Sequence, residues 1–488
     1  MKILIGRQIK DADRRTMEVE PIESVQLMER ASQAIANWIT DNISRDEPLL
    51  FVVGKGNNGG DGLAVARILH HAGFRCSVYM VYDKNSLSNE CYINYERLPR
   101  DITIIDNLES VEGRRFTFID ALLGTGLNGE VQEPISSLID TINSMPNTVI
   151  SIDLPSGMRS ELGNDASQVI IRADMTLTLQ FPKLAMLLPE AGEYAGDLVV
   201  LPIGLDQYFM DEANSPYYYI TEKQIKDMML TRHNFAHKGL YGHALLICGS
   251  AGMMGAAALA TGAALRSGCG LVTLHLPYNE RIAVQTLHPS AMLSYDEEDY
   301  FSALPGNLSG YNTIGIGCGL GRHKETVRAF EQLLKEAEVP MVLDADALNI
   351  LADNNDFLKY IPANSILTPH PGELRRLIGD WENEEQKIDL SGGLASMLHS
   401  IVIVKGMHTM VCMPDGRIYF NSTGNSGMAK GGSGDVLTGY ITGLLARGYS
   451  PEDAAILGVY NHGQAGDLAA SHYGIEGMNS RDIIDYLS

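Results

Sequence analysis

Leu49-Leu-Phe-Val-Val53, followed directly by Gly54-Lys-Gly-Asn-Asn-Gly-Gly-Asp-Gly62, is the stretch on which the fold turns. Five apolar residues between Pro48 and Gly54 have the length and unbroken hydrophobicity of a strand buried on both faces. The glycine-rich turn leads into a helix expected over 63–71, and residues 76–82 read as the next strand. A strand, a crossover helix and a second strand form a βαβ unit, which requires a parallel sheet. Upstream, Leu27, Ala31, Ala34, Ile35 and Trp38 recur at helical spacing, so a helix is expected over 24–39 with Ser24 as N-cap. Downstream the pattern repeats, with strands expected at 117–120, 148–153 and 175–180.

A polar stretch at 206–216, closed by the Asn214-Ser-Pro216 breaker, is the expected linker. Beyond it a second series of strands is expected at 244–249, 313–317, 341–344, 366–368 and 401–405, with helical segments between them. A chain of 488 residues exceeds what one core usually supports. Two α/β domains follow, 1–210 and 217–488, each a three-layer αβα sandwich and neither a repeat of the other. Ligands of such sheets bind beyond the carboxyl ends of the strands, so function is expected there.

The formal net charge of −23 argues against nucleic acid and anionic membrane as partners. A phosphate-bearing substrate must then be held by local backbone dipoles and a few cations. Cys76, Cys91, Cys248, Cys269, Cys318 and Cys412 are scattered without a CxxC pair, which argues against zinc and for a reducing compartment. Residues 1–10 lack the apolar length and cleavage site of a secretory signal. Residues 253–272, rich in Ala and Gly and broken by Thr261, Arg266 and Ser267, suit a buried helix better than a membrane span. A cytoplasmic protein is expected.

Three polar clusters mark strand ends in the first half. In the glycine loop, Gly54, Gly56 and Gly59 fit G-x-G-x-x-G, a pattern that also describes an ordinary strand-to-helix turn. Asn57, Asn58, Gly59, Gly60 and Asp61 add amides and a carboxylate that such a turn does not need; Asp61 either caps the helix or binds a hydroxyl or cation. Asp120-Ala-Leu-Leu-Gly-Thr-Gly-Leu-Asn-Gly129 supplies a second flexible loop. Ile152-Asp-Leu-Pro-Ser-Gly157 places Asp153 at a strand end, as a structural cap or as an acid/base.

GNNGGDG, IDALLGTG and IDLPSG, in this order and spacing, together resemble the NAD(P)HX epimerase family over roughly residues 1–205. The resemblance implies a Rossmann-like domain in which Asn57 to Asp61 and Gly124, Thr125, Gly126, Leu127, Asn128, Gly129 and Glu130 hold the dinucleotide. It further implies that Asn58, Asp120 and Ser156 ligate K+ and that Asp153 faces the damaged ring. In that hydrate a hydroxyl sits on a carbon beside the ring nitrogen and is lost and regained through an iminium ion. A neighbouring carboxylate can protonate the leaving oxygen and steady the cation, and Asp153 is the expected one.

Gly427-Met-Ala-Lys-Gly-Gly-Ser-Gly-Asp-Val436, ahead of a helix expected over 436–446, carries the second half. Successive glycines at a helix start aim several amides at one point, where phosphoryl charge can sit. Asp435 then either caps the helix or takes the proton of a substrate hydroxyl. Asp344 and Asp346 are expected either to orient substrate or metal-bound water or to form a solvated pair. His370 is presented between two prolines, and Lys405-Gly-Met-His-Thr409 offers a cation and amides to a phosphate. Gly317-Cys-Gly-Leu-Gly321 and Gly249-Ser-Ala-Gly252 are further close-approach turns, and no G-x-x-x-x-G-K-[ST] is present.

GGSGD, VLDAD and TPHPGE resemble the ribokinase-like fold; HKGLYGHALLICGSAGMMGAAALA, TPHPGE, KGMHT and GGSGD resemble, more narrowly, the NAD(P)HX dehydratase family over roughly 217–488. By that resemblance Ala256, Gly319, His370 and Asp435 touch the hydrated dinucleotide, NADHX or NADPHX. Lys405, Gly406, Met407, His408, Thr409 and Gly434 contact the nucleotide. The fused arrangement resembles bacterial members that use ADP, with Mg2+, and a homo-oligomer is expected. Lys430 departs from the family pattern, and it either adds a phosphate contact or points outward. Three other readings remain at this level: a kinase of a small alcohol, a dinucleotide-sensing or protein-binding module in the first half, and a Rossmann oxidoreductase.

Overall fold

The computed structural model describes residues 1–108, 113, 115–127, 129–165 and 167–487. Contacts divide the chain into two compact units, Lys2–Tyr217 and, with Met1, Tyr218–Ser488.

The first unit is built on a seven-stranded sheet of β1 (Leu49–Val53), β2 (Cys76–Met80), β3 (Thr103–Ile105), β4 (Thr117–Ala121), β5 (Thr148–Ile152), β6 (Met175–Leu179) and β7 (Asp197–Leu201). Its order is β3-β2-β1-β4-β5-β6-β7, parallel throughout. Every residue of β1 is fully buried, as its unbroken apolar run requires. The strand order reverses between β1 and β4, where Leu49 lies beside Thr117. A crevice therefore opens beyond the carboxyl ends of these two strands.

The crossover helix begins at Asn57, not at residue 63, and runs to His71. Glycines 59, 60 and 62 are poor helix formers, but packing overrides propensity here. A Cβ at Gly62 would lie 2.5 Å from the Ala121 Cβ, and one at Gly60 would lie 2.9 Å from the Met28 Sδ. The preceding helix starts at Ser24, but its cap is Glu23, whose N–H donates to Gln26 Oε1 at 2.8 Å in a capping box. The expected linker contains a short helix, Gln207–Glu212, capped by the Asp206 carboxylate, which accepts from Phe209 N at 2.8 Å. Helix Arg7–Val19 and strands β3 and β7 were not expected from the sequence, because they are short or largely polar.

The second unit carries β8 (Tyr217–Tyr219), β9 (His243–Ile247), β10 (Leu271–Pro277), β11 (Met292–Asp296), β12 (Thr313–Ile316), β13 (Met341–Leu343), β14 (Ile366–Leu367), β15 (Ile401–Val404), β16 (Met410–Cys412) and β17 (Ile418–Phe420). The order is β11-β10-β9-β12-β13-β14-β15-β16-β17-β8. It is parallel from β11 to β15, and β15-β16-β17 form an antiparallel end. The stretch expected to be a buried helix contains Met254–Arg266, with most of its residues buried. Among the described residues no helix is long and apolar enough to cross a membrane.

Helix Ser433–Arg447 packs against Met254–Arg266 so closely that a Cβ on Gly439 would collide with the backbone carbonyl of Ala260. Gly439→Ala is expected to destabilise this unit by about 1–3 kcal/mol through overpacking. Gly255→Ala, on the opposing helix with open space around it, is expected to be neutral or stabilising by about 0.4–1 kcal/mol. Thermal unfolding of the two variants beside the parent measures both.

Candidate functional site

Each unit has a cavity at the carboxyl ends of its central strands. That of the first unit holds about 670 Å³. Asn57, Asn58, Asp61, Gly124, Thr125, Gly126, Leu127, Glu130 and Asp153 line it. Gly59 and Gly60 do not: they pack against Gly54 and Met28 and let the helix approach the sheet. Gly60 N–H already bonds Gly56 O at 3.1 Å, so the first-turn amides are those of Asn57, Asn58 and Gly59. Asp61 lies inside the helix, which removes the capping role. Gly129 has φ +92° and turns the loop without lining the cavity, and Asn128 lies outside the described residues.

Of the three residues expected around a monovalent cation, Asp120 and Ser156 meet directly, while Asn58 reaches the end of β5. Asp120 is buried at 1% exposure; its carboxylate accepts from Ser156 Oγ (2.5 Å), Ser156 N (2.8 Å), Ser151 Oγ (2.8 Å) and Leu122 N (3.3 Å). Burial raises its pKa, and these hydrogen bonds oppose the rise. Asn58 Nδ2 donates to Ile152 O at 2.8 Å, while its Oδ1 is buried without a hydrogen-bond partner. An orphaned buried oxygen is a group that a hard cation would satisfy.

The cavity wall also brings together groups that no motif marked. Asp153, with φ +70°, holds its carboxylate against the buried ammonium of Lys183. It also accepts from Leu179 N at 3.2 Å, and Lys183 Nζ donates to Thr178 Oγ1 and Leu179 O, both at 3.1 Å. Asp13 enters from helix Arg7–Val19. Burial, reinforced by Asp153 and opposed by Lys183, pushes its carboxyl up to about 6. Burial and then the charges of Asp153 and Asp13 push Asp61 well above the carboxylate range. Lys183 follows the end of β6, a position that strand-end logic could have singled out. Asp13 sits in a polar helix with nothing to distinguish it.

The cavity of the second unit holds about 700 Å³, within the usual size range of small-molecule sites. Gly432, with φ +94°, is the N-cap of helix Ser433–Arg447, and no side chain caps that end, so Asp435 is not a cap. Asp435 lines the cavity. Burial pushes its carboxyl up to about 6, opposed by a hydrogen bond from the Cys318 thiol, raised further by Asp344 and lowered by Lys405. Lys405 Nζ donates to Asp344 Oδ1 at 2.7 Å and lies 3.8 Å from Glu373 Oε2. Burial pulls the ammonium down, but Asp344 and Glu373 more than offset it and hold its pKa up. Gly434 makes room for this pair, since a Cβ there would lie 3.2 Å from Lys405 Nζ.

Asp344 and Asp346 are not a solvated pair. Asp344 is 1% exposed and also accepts from Thr438 Oγ1 at 2.6 Å, whereas Asp346 accepts from Gly321 N at 2.8 Å and shapes that turn. His370 lines the cavity and caps helix Pro371–Ile378, its Nδ1 accepting from Gly372 N at 3.0 Å. Gly406, Met407 and Thr409 line the cavity beside Lys405; His408 turns away, its Nδ1 3.0 Å from Asn421 O. Ala256 and Gly319 meet each other, with a Gly319 Cβ placed 3.1 Å from the Ala256 Cβ, and lie outside that lining. Lys430 neither points outward nor is left for phosphate: its Nζ donates to the carbonyls of Met478 (2.6 Å), Glu476 (2.8 Å) and Ile475 (3.3 Å).

The sequence reading also missed His462, which lines the cavity 3.4 Å from Ser433 Oγ, its pKa lowered by burial to about 4. A break of apolar periodicity at Asn461-His462 within helix Pro451–Tyr473 was the available sign. Among the described residues no group of three His, Cys, Asp or Glu side chains converges as a metal cage. Lys183→Met would strand Asp153 as an uncompensated charge. It is expected to cost the first unit about 3–5 kcal/mol, read by chemical denaturation.

Residues 244–488 match the family described as NAD(P)H-hydrate dehydratase, and residues 24–185 match that described as YjeF-related protein N-terminus. The bifunctional NAD(P)H-hydrate repair enzyme of Moorella thermoacetica is 33% identical over 512 residues, covering 100% of this chain and 96% of its own length. Its Escherichia coli counterpart is 33% identical over 488 residues, covering 98% of this chain and 92% of its own. A ribokinase-like superfamily protein from Enterococcus faecalis superposes with a TM-score of 0.51 at 25% identity, covering 56% of this chain and 95% of that one.

Proposed function

This chain belongs to the bifunctional NAD(P)H-hydrate repair enzyme family, and we propose that its first unit interconverts the R and S forms of hydrated NADH and NADPH while its second dehydrates the S form at the expense of ADP. The products of the second reaction are NADH or NADPH, AMP and phosphate. The observation that carries this reading is the setting of Asp435: a carboxylate with an elevated pKa on the first turn of a helix that no side chain caps, in a nucleotide-sized cavity with Lys405. Family membership along the whole chain sets aside the small-alcohol kinase and the oxidoreductase.

In the dehydratase, Asp435 takes the proton of the ring hydroxyl as that oxygen attacks the terminal phosphoryl of ADP. The first-turn amide of Gly434 faces the developing charge, and Lys405, fixed by Asp344, supplies a cation at the same mouth. Phosphate then departs as the ring nitrogen donates its electron pair to give an iminium ion, and loss of a proton from the adjacent ring carbon to solvent reforms the double bond. Mg2+ would enter with the nucleotide and would supply neutralisation of its phosphate charge. Gly406, Met407 and Thr409 line the nucleotide side, and His370 the mouth. Gly319, just past the end of β12, and Ala256, in the first turn of helix Met254–Arg266, meet the dinucleotide in this reading.

In the epimerase, Asn57, Asn58 and the 124–127 loop receive the dinucleotide, and Asp153 faces the ring as its catalytic carboxylate. Asn58, Asp120 and Ser156 would hold K+, which supplies a fixed positive charge under the anion-binding loops. The unpartnered Asn58 Oδ1 supports that assignment. The six cysteines are free thiols, five of them buried, which supports a reducing, cytoplasmic setting.

Given mixed epimers and ADP, the enzyme is expected to regenerate the reduced-nicotinamide absorbance completely. Asp435→Asn should lower the dehydration rate by about 10²–10⁴-fold without changing epimer exchange. Because the base must be ionised, the dehydration rate should fall as pH drops through about 6. For the cation, replacing Na+ by K+ should raise the thermal midpoint of the parent but not of Asn58→Leu, a readout independent of turnover.

A further inference from the structure

Three carboxylates, Asp13, Asp61 and Asp153, share the wall of the first cavity with one buried ammonium, that of Lys183. Three carboxylates crowded around one buried ammonium disfavour full ionisation of the set, so a retained proton is shared among them. Asp153 takes the ammonium directly and also a backbone N–H, which commits both of its contacts to fixed partners. Asp61 sits within helix Asn57–His71, where its burial and then the charges of Asp153 and Asp13 raise its carboxyl well above the usual range.

Asp13 differs from both. It arrives on helix Arg7–Val19, separate from the strand ends that deliver the other two. That helix is pinned on the same side: Ala12 and Thr16 are fully buried, and Asp206 N donates to Thr16 Oγ1 at 2.8 Å. Its charged surroundings are Asp61 on the crossover helix, Asp153 and Lys183 on the loops after β5 and β6, Lys10 on its own helix, and Lys55 and Glu130 on the cavity loops.

We propose that Asp13 is the catalytic acid of the epimerase, exchanging a proton with the hydroxyl of the hydrated ring, while the ion-paired Asp153 remains the fixed negative charge opposite the ring cation. The proposal rests on the epimerase reading above and divides between two residues the roles first given to Asp153 alone. The Asp13 carboxyl gives its proton to the hydroxyl oxygen. The C–O bond breaks, its electron pair leaving with water, and the ring-nitrogen lone pair closes a C=N bond to give the iminium ion. Water adds to the other face and returns its proton to the Asp13 carboxylate. Nothing is oxidised or reduced, and the enzyme ends as it began. A carboxyl near 6 suits this exchange at neutral pH.

The test supplies one epimer to the full chain without ADP and follows the other by chromatography, corrected for the spontaneous exchange. Asp13→Asn should slow exchange about 100-fold at unchanged KM, with S-form dehydration kept within about twofold as proof of folding. The parent kcat/KM for exchange should fall as pH rises through about 6, and that fall should vanish in Asp13→Asn. Asp13→Glu, which keeps the acid, should recover part of the rate together with the pH limb. Parent-like exchange with a parent-like pH profile in Asp13→Asn, or a loss confined to KM, overturns the inference and leaves the epimerase reading standing. A parent enzyme that exchanges no epimers overturns both.

Discussion

A strand buried on both faces can present polar atoms only at its ends. That constraint organises this chain. β1, β12 and β15 are sealed along their length, so everything able to meet a charged ligand is displaced to the loops and helix starts that follow them. The glycines at these turns serve the same end. At 60, 62 and 439 they bring helices against neighbouring side chains and backbone, and at 434 one leaves room for an ammonium. The pockets are thus the unavoidable polar margins of two apolar sheets.

An acidic protein that binds multiply phosphorylated dinucleotides faces a long-range electrostatic problem, and both cavities answer it locally. Each holds one well-fixed lysine paired with one aspartate, Lys183 with Asp153 and Lys405 with Asp344, beside the first turn of a helix. A buried pair of this kind contributes little net stability, because desolvation offsets most of the attraction. What it supplies is a defined charge at a defined place. Carboxyls left outside the pairs experience burial that the neighbouring lysine offsets only in part: Asp61 is raised well above the carboxylate range, and Asp13 in one cavity and Asp435 in the other both sit near 6.

The central strands were legible because they are continuous apolar runs ended by Gly, Asp, Thr or Lys, and most of their boundaries moved by only a residue or two; β3, β7, β8, β10, β11, β16 and β17 were not read from the sequence. The crossover helix was read six positions late because Asn57-Asn-Gly-Gly-Asp-Gly62 has the local chemistry of a turn. Only contacts with Met28, Ala121 and Gly54 make it helical, and those are invisible in the sequence. Motif-borne residues such as Asp120, Asp153, Lys405 and Asp435 stand out because glycines flank them or strands end at them. Asp13, Lys183 and His462 do not, since their significance lies in which distant charge they face. Lys430 shows the converse: a conspicuous cation in the strongest motif whose donors are spent on the carbonyls of residues 475–478.

The two reactions ask opposite things of carboxyls with similar pKa values. An acid at Asp13 works in its protonated form, a population that shrinks as pH rises through about 6. A base at Asp435 works ionised, a population that grows over the same interval. Because dehydration accepts one epimer, the material in the other form must pass the acid-dependent step first. Toward alkaline pH the chain therefore becomes limited by epimer supply, and toward acid pH by phosphoryl transfer. Near neutrality both forms are present in useful amounts, which is where a repair enzyme acting on a mixture of epimers has to operate.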